Sequence, residues 1–397
     1  MKSQTLALVG MFSAIGCGTQ GKLGGSATSG AITGSSGNAG SSLSGTASAG
    51  ATVRTFGRGV DDGNGTFHLN WGGAVLEMRT KSSGAGSVSV TLQNEADAIG
   101  TDNEFSVIID GRVVVGPPIQ VTGTASQASI SVPDGEHTVQ LVKRTEGLYG
   151  TVTASAATPA SNVTLMATIV PGRSIEFIGD SITDGYGVEG TETHGSTNVN
   201  CKARGSNESA VEAYSTLTAR ALGADYNLTA YSGKGVFQNQ PADTTPVMPQ
   251  VFGQAKAAGF GSSWDFSKFT PDVVVILLGT NDFSSTASRP AVTQEQFMPA
   301  YQALIAEVRG KYPKAKIVLA SSPLLSDYSA NKPASELNSW LTSIAAGFVA
   351  AHDPDVSFVA VPTQDTSTTG CEYHPSLAAQ QKIAAVITGT VKQVTGW

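Results

Sequence analysis

The hydrophobic pattern of this chain changes its period near residue 170, and the change divides the chain into two kinds of structure. From 51 to 169, apolar residues recur at every second position in short runs such as SVSVTLQN (87–94). From 170 to 397, unbroken apolar runs such as SIEFIG (174–179) alternate with stretches of helical period. Because alternation is typical of antiparallel sheets and unbroken runs of parallel sheets, we predict two domains with these bounds.

The first domain, 51–169, is predicted to be an antiparallel β-sandwich of jelly-roll type. No convincing amphipathic helix pattern occurs in it. Its segment ASISVPDGEHTVQLVKR (128–144) has Pro-Asp-Gly between two runs of period two, which predicts a β-hairpin.

The second domain, 170–397, is predicted to be an α/β fold with a parallel sheet between layers of helices. The helical pattern is clearest in four stretches, which are 208–222, 294–311, 334–351 and 376–392. In such folds ligands bind at the carboxyl ends of the strands, so residues that follow an apolar strand are the candidates for a functional site.

The first fifty residues have the composition of an export signal and a linker. Residues 1–17 have one Lys and then an apolar run of roughly ten residues, which is too short to span a bilayer. The sequence AIGC resembles a bacterial lipoprotein cleavage site, so Cys17 is either lipidated, which would attach the protein to a membrane, or removed by ordinary cleavage. Residues 18–50, rich in Gly and Ser, predict a disordered tether. Both alternatives predict a secreted or cell-surface protein.

The charge excludes one class of partner. The 397 residues carry a formal net charge of −7 with a pI of about 5.3, and no basic run occurs. Because binding of phosphates needs clustered Lys and Arg, we expect no nucleic-acid partner. We expect a monomer.

Three motifs place candidate catalytic residues directly after predicted strands. FIGDSITDGYG supplies Ser181, AYSGKGVFQN supplies Gly233 and LLGTNDF supplies Asn281. A serine hydroxyl at a strand end can act as a nucleophile, and backbone N–H groups with an amide side chain are the donors of an oxyanion hole. Each motif alone is also typical of ordinary turns. Their order along the chain and their common position after predicted strands favour a catalytic site.

The segment CEYHPS supplies a fourth candidate, His374. Among the five histidines of the chain, this one alone follows the last predicted strand and can reach the open edge of the sheet. Together with Ser181 it predicts a serine hydrolase in which the histidine is the general base.

These four motifs resemble those of the SGNH (GDSL-type) hydrolases over about 172–397. The segments IEFIGDSIT, SGKG, LGTNDF and HTVQLVKRTE, with a β-sandwich in front, are similar more narrowly to family 2 of the carbohydrate esterases. The resemblance implies an SGNH three-layer sandwich with a parallel sheet, preceded by a jelly roll. It also implies release of acetyl groups from acetylated polysaccharides or oligosaccharides such as xylan and glucomannan.

The resemblance implies a role for each candidate. Ser181 corresponds to the nucleophile and His374 to the general base. The N–H groups of Ser181 and Gly233 and the amide of Asn281 correspond to the oxyanion hole. No metal or organic cofactor is implied.

One position departs from the superfamily pattern, which has an aspartate three residues before the histidine. Here that position is Cys371. Three groups are candidates to orient His374 instead: the Glu372 side chain, a main-chain carbonyl near 370–372, and Asp365. Because members of family 2 work with a Ser–His dyad, we favour the main-chain carbonyl.

If Cys17 is lipidated or removed, two cysteines remain, Cys201 and Cys371. In an oxidising compartment these would form a disulfide that holds the loop of His374; the alternative is two free buried thiols. Two tryptophans, Trp71 and Trp264, are candidates for stacking on a sugar ring, and the alternative for each is ordinary packing.

Two other functions stay open on the sequence. The first is an SGNH esterase of another specificity, such as an arylesterase or a lipase. The second is a surface carbohydrate-binding protein without activity, which only the missing aspartate favours.

Overall fold

The structure is a computed structural model that describes residues 51–98, 103–122, 125–193, 201, 204–240, 246–257, 262–284, 290–328, 331–365 and 368–397. All of them belong to one compact unit. The predicted signal segment, the tether and Cys17 lie outside the described residues. Within them, no helix combines the length and apolar character needed to cross a membrane.

The described part of the first half consists of strands in two antiparallel sheets, as predicted. Its strands are β1 (Val53–Phe56), β2 (Val60–Asp61), β3 (Thr66–Leu69), β4 (Val75–Ser82), β5 (Gly86–Asn94), β6 (Glu104–Ile109), β7 (Arg112–Val113), β8 (Ile119–Gln120), β9 (Ser126–Val132), β10 (Gly135–Lys143), β11 (Val152–Ser155), β12 (Thr158–Pro159) and β13 (Val163–Met166). One sheet has the order β1-β4-β10-β6-β7, with β13 on β4 and β8 on β6; the other has the order β12-β5-β11-β3-β2, with β9 on β5. Their inner faces share one apolar core. The jelly-roll path stays a prediction.

The hairpin predicted at 128–144 is wrong. β9 pairs with β5 in one sheet, whereas β10 pairs with β4 and β6 in the other, so the Pro-Asp-Gly turn crosses between sheets. The connection is fastened to the turn after β4, because the Asp134 carboxylate accepts from the N–H of Gly84 at 2.7 Å. Local turn chemistry was right, but the partner strand of each segment is set by the packing of two sheets.

The described second half alternates strands and helices around a parallel sheet. Its strands are β14 (Ser174–Gly179), β15 (Glu192–Thr193), β16 (Asp225–Ala230), β17 (Val273–Leu277), β18 (Lys316–Ala320), β19 (Val356–Val359) and β20 (Thr368–Thr369). Its helices are α1 (Ser181–Asp184), α2 (Tyr214–Leu222), α3 (Met248–Phe252), α4 (Thr280–Phe283), α5 (Gln294–Lys311), α6 (Pro333–Ala350) and α7 (Leu377–Thr395). The main sheet has the order β16-β14-β17-β18-β19, and β15 pairs separately with β20.

The central strand β17 shows why its sequence is apolar at every position. Val274 and Ile276 face a core that includes residues of α5 and α6, while Val273, Val275 and Leu277 face a core that includes residues of α2 and α7. Both faces of the sheet are covered, which gives the three layers that the resemblance implied.

The first helix predicted in this half begins later than the pattern suggested. The prediction was 208–222, but α2 begins at Tyr214. The preceding backbone is used to dock against the β-sandwich instead: the Ala210 N–H donates to the Arg144 carbonyl at 2.8 Å. This contact takes a donor out of the helical pattern.

Arg58 joins the two halves. It follows β1 of the sandwich, and its guanidinium is fully buried against Glu176 in strand β14, with Nη2 2.9 Å from Oε1. Its Nη1 donates to the carbonyls of Phe252 at 2.8 Å and Gln254 at 2.9 Å. Four aromatic rings lie within 6 Å of the guanidinium carbon: Trp71, Phe252, Trp264 and Phe266. A charge buried this deeply is tolerated only because it is paired and hydrogen-bonded.

A second arginine of the sandwich reinforces this contact. Arg54 in β1 binds both carboxylate oxygens of Asp225, at 2.5 and 2.9 Å, where the edge strand β16 begins. Its Nε donates to Glu77 of the neighbouring strand β4 at 2.7 Å. The sandwich is therefore fixed to the sheet through buried charge pairs at two positions.

Replacing Arg58 by Leu is expected to lower the free energy of unfolding by about 3–5 kcal/mol, since Glu176 would stay buried without its partner. The measurement is urea unfolding followed by fluorescence. The control is Arg79→Leu, which removes an exposed pair with Glu136 and should cost much less. Equal losses in the two variants would contradict this role. Arg58→Leu combined with Glu176→Gln should recover much of the loss, because glutamine removes the unpaired charge and keeps an acceptor for Thr229 and Tyr312.

Candidate active site

Ser181 lies where strand β14 ends and the short helix α1 begins. The Asp180 carboxylate caps this helix by accepting from the N–H of Ile182 at 3.0 Å. The bend is tight, because a Cβ atom at Gly179 would lie 2.0 Å from the Thr183 hydroxyl oxygen. The serine is 8% exposed, and its Oγ lies 2.8 Å from Nε2 of His374. The structure thus brings together two residues that are 193 positions apart in the sequence.

The other ring nitrogen of His374 faces the main chain. Its Nδ1 lies 3.0 Å from the carbonyl oxygen of Glu372. Since a carbonyl can only accept, Nδ1 carries the hydrogen in this contact and Nε2 presents its lone pair to the hydroxyl of Ser181. This is the tautomer that a general base needs.

The turn before His374 has an uncommon backbone. Glu372 and Tyr373 both have left-handed φ angles, of 51° and 62°. Such angles are rare in residues other than glycine, and here they accompany the contact of the Glu372 carbonyl with the imidazole. The side chains of Glu372 and Asp365, the other candidates for orienting the histidine, are exposed.

A disulfide and a backbone hydrogen bond hold the loop that carries His374. A disulfide links Cys371 to Cys201, with their Cα atoms 5.6 Å apart. The N–H of Cys371 also donates to the carbonyl of Gly187 at 2.9 Å. Gly187 has a φ of 80°, and a Cβ atom there would lie 2.5 Å from the Cys371 oxygen and 2.9 Å from the Cβ of His374. Sequence reasoning missed Gly187, although the motif FIGDSITDGYG contained it.

The loop that carries Gly233 lies beside the serine. It follows strand β16, and the N–H of Tyr231 donates to the carbonyl of Gly179 at 3.3 Å. Gly233 has a φ of 79°, and a Cβ atom on it would lie 2.2 Å from the Gln240 oxygen. The Gln240 N–H donates to the Gly233 carbonyl at 2.7 Å, so this glycine is required by both conformation and space.

Asn281 connects the serine turn to that loop. Its Nδ2 donates to the Asp180 carboxylate and to the Lys234 carbonyl, each at 3.0 Å. An amide nitrogen has two hydrogens, so both have acceptors on the neighbouring motifs. To donate to an oxyanion as predicted, Asn281 must share or release one of these contacts.

Asp180 and Asp282, which adjoin Ser181 and Asn281 in the sequence, accept hydrogen bonds from backbone N–H groups of the surrounding turns. Asp282 is buried, and its oxygens accept from the N–H groups of Val236, Phe237 and Gln238 at 2.8–3.1 Å. Burial raises the pKa of Asp282. Burial, with a smaller contribution from the nearby Asp282, also raises the pKa of Asp180 to about 7.

Of the two tryptophans predicted to stack on sugar, Trp71 reaches no surface, whereas Trp264 lines a cleft with Ser174 and Asp225, where strands β14 and β16 begin. Trp71 has no exposed area, and its Nε1 donates to the Ala255 carbonyl at 2.9 Å. Trp264 is 8% exposed and packs against Val60 and Ala255. Both rings lie against the guanidinium of Arg58 and cover its buried charge. The stacking prediction is wrong for Trp71, which has no exposed area, and for Trp264 it stays a prediction.

Comparison with known families matches both halves. The model of the GDSL-like Lipase/Acylhydrolase family matches residues 177–382, and that of the Carbohydrate esterase 2 N-terminal region matches residues 55–168.

Individual proteins are similar over the same range. The cellulase/esterase CelE of Acetivibrio thermocellus is 35% identical over 330 residues, 82% of this chain and 38% of that protein. An acetylxylan esterase / glucomannan deacetylase of Cellvibrio japonicus is 27% identical over 240 residues, 59% of this chain and 63% of that protein. The chain thus spans less than two thirds of the length of either relative.

A solved structure covers more of the fold. The family two carbohydrate esterase from Clostridium thermocellum, in complex with cellohexaose, superposes with a TM-score of 0.75 and 33% sequence identity. The match covers 87% of this chain and 99% of that chain. The matches to both family models, together with the identity to this structure and its coverage, show that the chain belongs to family 2 of the carbohydrate esterases, within the SGNH (GDSL-like) hydrolases.

Proposed function

We propose that this protein is a serine esterase that removes O-acetyl groups from plant cell-wall polysaccharides such as xylan and glucomannan. The observation that carries the proposal is the 2.8 Å contact between Ser181 Oγ and His374 Nε2 at the open edge of the sheet. The polysaccharide class is supported by family membership and by the Cellvibrio japonicus relative, whose name gives both substrates.

Acylation begins when Ser181 Oγ attacks the acetyl carbonyl carbon. The hydroxyl proton passes to Nε2 of His374, and the positive charge that forms on the ring is stabilised by the Nδ1–H contact with the Glu372 carbonyl. The oxyanion is held by the N–H groups of Ser181 and Gly233 and by the amide of Asn281, which shares or releases one of its present acceptors to make this contact. When the tetrahedral intermediate collapses, the C–O bond to the sugar breaks and the sugar oxygen takes the proton from His374.

Deacylation repeats these steps with water. His374 removes a proton from a water molecule, whose oxygen attacks the acetyl-serine ester. Collapse of the second tetrahedral intermediate breaks the bond to Ser181 Oγ, which takes the proton back from His374, and acetic acid leaves and ionises to acetate. The catalytic unit in this proposal is a Ser–His dyad oriented by a main-chain carbonyl.

We further propose that the protein is a monomer and that it is exported. It is either released into the medium or held at the cell surface by a lipid on Cys17. The Cys201–Cys371 disulfide supports this proposal, because disulfides persist in oxidising compartments. Mass spectrometry of the mature N-terminus distinguishes a lipidated Cys17 from ordinary cleavage.

Ser181→Ala is expected to lower acetate release from acetylated glucomannan and acetylated xylan by at least about 10⁴-fold, because the nucleophile is lost. The control is Ser343→Ala, on an exposed face of α6. Acetate release that survives Ser181→Ala would contradict the mechanism. Turnover of a simple aryl acetate without acetate from either polymer would contradict the polysaccharide specificity.

Glu372→Ala should keep kcat within about threefold of the wild type, since the orienting oxygen belongs to the main chain. Glu372→Pro makes the matched contrast, because proline holds φ near −65° and cannot adopt the observed 51°. It should lower kcat by about 100-fold or more. A similar loss in Glu372→Ala would show that the side-chain carboxylate orients His374.

The double variant Cys201→Ser/Cys371→Ser is expected to lose about 3–5 kcal/mol of unfolding free energy, because the disulfide closes a loop of 170 residues. Its kcat should fall as well, since the covalent link that holds the loop of His374 is gone. Reductant should have the same effect on the wild type and none on the double variant. A wild type whose kcat is unchanged after full reduction would contradict the role of the disulfide in the site.

A further inference from the structure

Glu146 is a residue of the β-sandwich half that reaches the catalytic half. It ends the segment HTVQLVKRTE, lies three residues after β10 and is fully buried. Its Oε2 accepts from the N–H of Ser232 at 2.7 Å. Ser232 directly precedes Gly233 in the loop after β16, so a carboxylate of one half holds the oxyanion loop of the other.

The position of this contact fixes the direction of the Gly233 N–H. That N–H belongs to the peptide unit between Ser232 and Gly233. The peptide unit before it is held by Glu146 through the Ser232 N–H. The unit after it is held by Gln240, whose N–H donates to the Gly233 carbonyl at 2.7 Å. Because both neighbouring units are fixed, the unit between them has little freedom to turn its N–H away from the oxyanion.

Glu146 is itself fixed by its surroundings. Its N–H donates to Oε2 of Glu208 at 3.0 Å. The ammonium of Lys143 donates to the carbonyls of Thr145 at 2.8 Å and Glu146 at 3.1 Å, so it holds the backbone of this turn. Lys143 and Glu208 have no exposed area. The carboxylate therefore sits on a rigid support.

The neighbouring carboxyl groups do not form a metal site. Burial, and next the charge of Glu146, raises the pKa values of Asp184 and Glu208 well above their usual range. In the described part of the chain, no group of three or more His, Cys, Asp and Glu side chains is arranged to hold a metal ion. The carboxyl group of Glu146 also contacts the side chain of Glu208, and its contact with the loop of Gly233 is the one with the Ser232 N–H.

We propose that Glu146 is a positioning residue for catalysis: the β-sandwich supplies the carboxylate that aims the Gly233 N–H of the oxyanion hole. This inference rests on the proposed esterase function. It makes the β-sandwich a part of the catalytic apparatus rather than only a neighbour of it. Glu146 acts through the loop and does not touch the substrate.

The expected effect is on the transition state more than on substrate binding. Loss of one oxyanion donor lowers kcat by about 10²–10³-fold in serine hydrolases. Glu146→Ala leaves the donor in place but releases its peptide unit, so we expect a fall in kcat of roughly 30-fold or more with KM changed less than about threefold.

The experiment uses the full chain and 4-nitrophenyl acetate, with variants Glu146→Ala, Glu146→Asp and Glu146→Gln. Gln keeps an oxygen acceptor at the same reach, so it should recover kcat to within about fivefold of the wild type; Asp withdraws the acceptor and should not. A second readout is the dissociation constant of methylboronic acid, whose tetrahedral anionic adduct on Ser181 resembles the intermediate. That constant should rise at least 10-fold in Glu146→Ala.

The matched control is Glu77→Gln. Glu77 is also a buried carboxylate of the sandwich, and it contacts Arg54 and Gln140. This variant should lower the melting temperature, as the Glu146 variants do, but leave kcat and boronic acid binding within about twofold. A loss of kcat in Glu77→Gln that follows its melting temperature would overturn the inference, because the effect would then be general destabilisation.

The remaining outcomes are also decisive. If folded Glu146→Ala keeps kcat within threefold of the wild type, the inference fails while the esterase proposal stands. If Glu146→Ala does not fold, a kcat in Glu146→Asp equal to that of Glu146→Gln overturns it, and the expected order supports it. If the wild type hydrolyses no acetyl ester, the proposed function fails, and boronic acid binding, measured by calorimetry, still decides the role of Glu146.

Discussion

The buried pair of Arg58 and Glu176 is the interaction on which the rest of the structure depends. Glu176 lies in β14, the strand that leads to Ser181, and its carboxylate also accepts from Thr229 at 2.6 Å and Tyr312 at 2.5 Å. A carboxylate at this depth needs a cation, and the parallel sheet obtains it from the β-sandwich. The two halves are thus electrostatically complementary, and each leaves a buried charge unpaired without the other. The aromatic rings around Arg58 seal the contact from water.

The catalytic centre is built largely from main-chain groups. A carbonyl contacts Nδ1 of the histidine, the proposed oxyanion hole consists mainly of N–H groups, and further N–H and carbonyl groups hold the loops around them. Such groups keep their hydrogen-bonding character over the whole pH range, and their directions are set by backbone conformation. This explains why glycines with left-handed or crowded positions, Gly187 and Gly233, cluster here, and why buried carboxylates such as Asp282 serve the loops.

Much of the fold and of the Ser–His pair could be predicted because it depends on local pattern. The segment SIEFIG predicted strand β14, and the order of motifs along strand ends predicted that Ser181 and His374 would meet. The predictions that were wrong concern residues whose surroundings come from distant parts of the chain. Trp71 was predicted to stack on a sugar, yet it is completely buried beside the guanidinium of Arg58. The predicted hairpin failed for a related reason, since the second sheet competes for the partner strands of β9 and β10.

The main-chain carbonyl behind His374 changes which mutations the site can tolerate. In an enzyme with an aspartate at this place, one base change in a codon can remove the orienting group. Here no replacement of the Glu372 side chain removes the oxygen, so the amino acid at this position can drift under selection for loop shape alone. The mutations that impair the site are instead those at residues that define the loop conformation, such as Gly187, where any side chain would collide with the loop of His374. Sequence variation among descendants should therefore be wider at residue 372, among amino acids that accept its left-handed φ, than at residue 187.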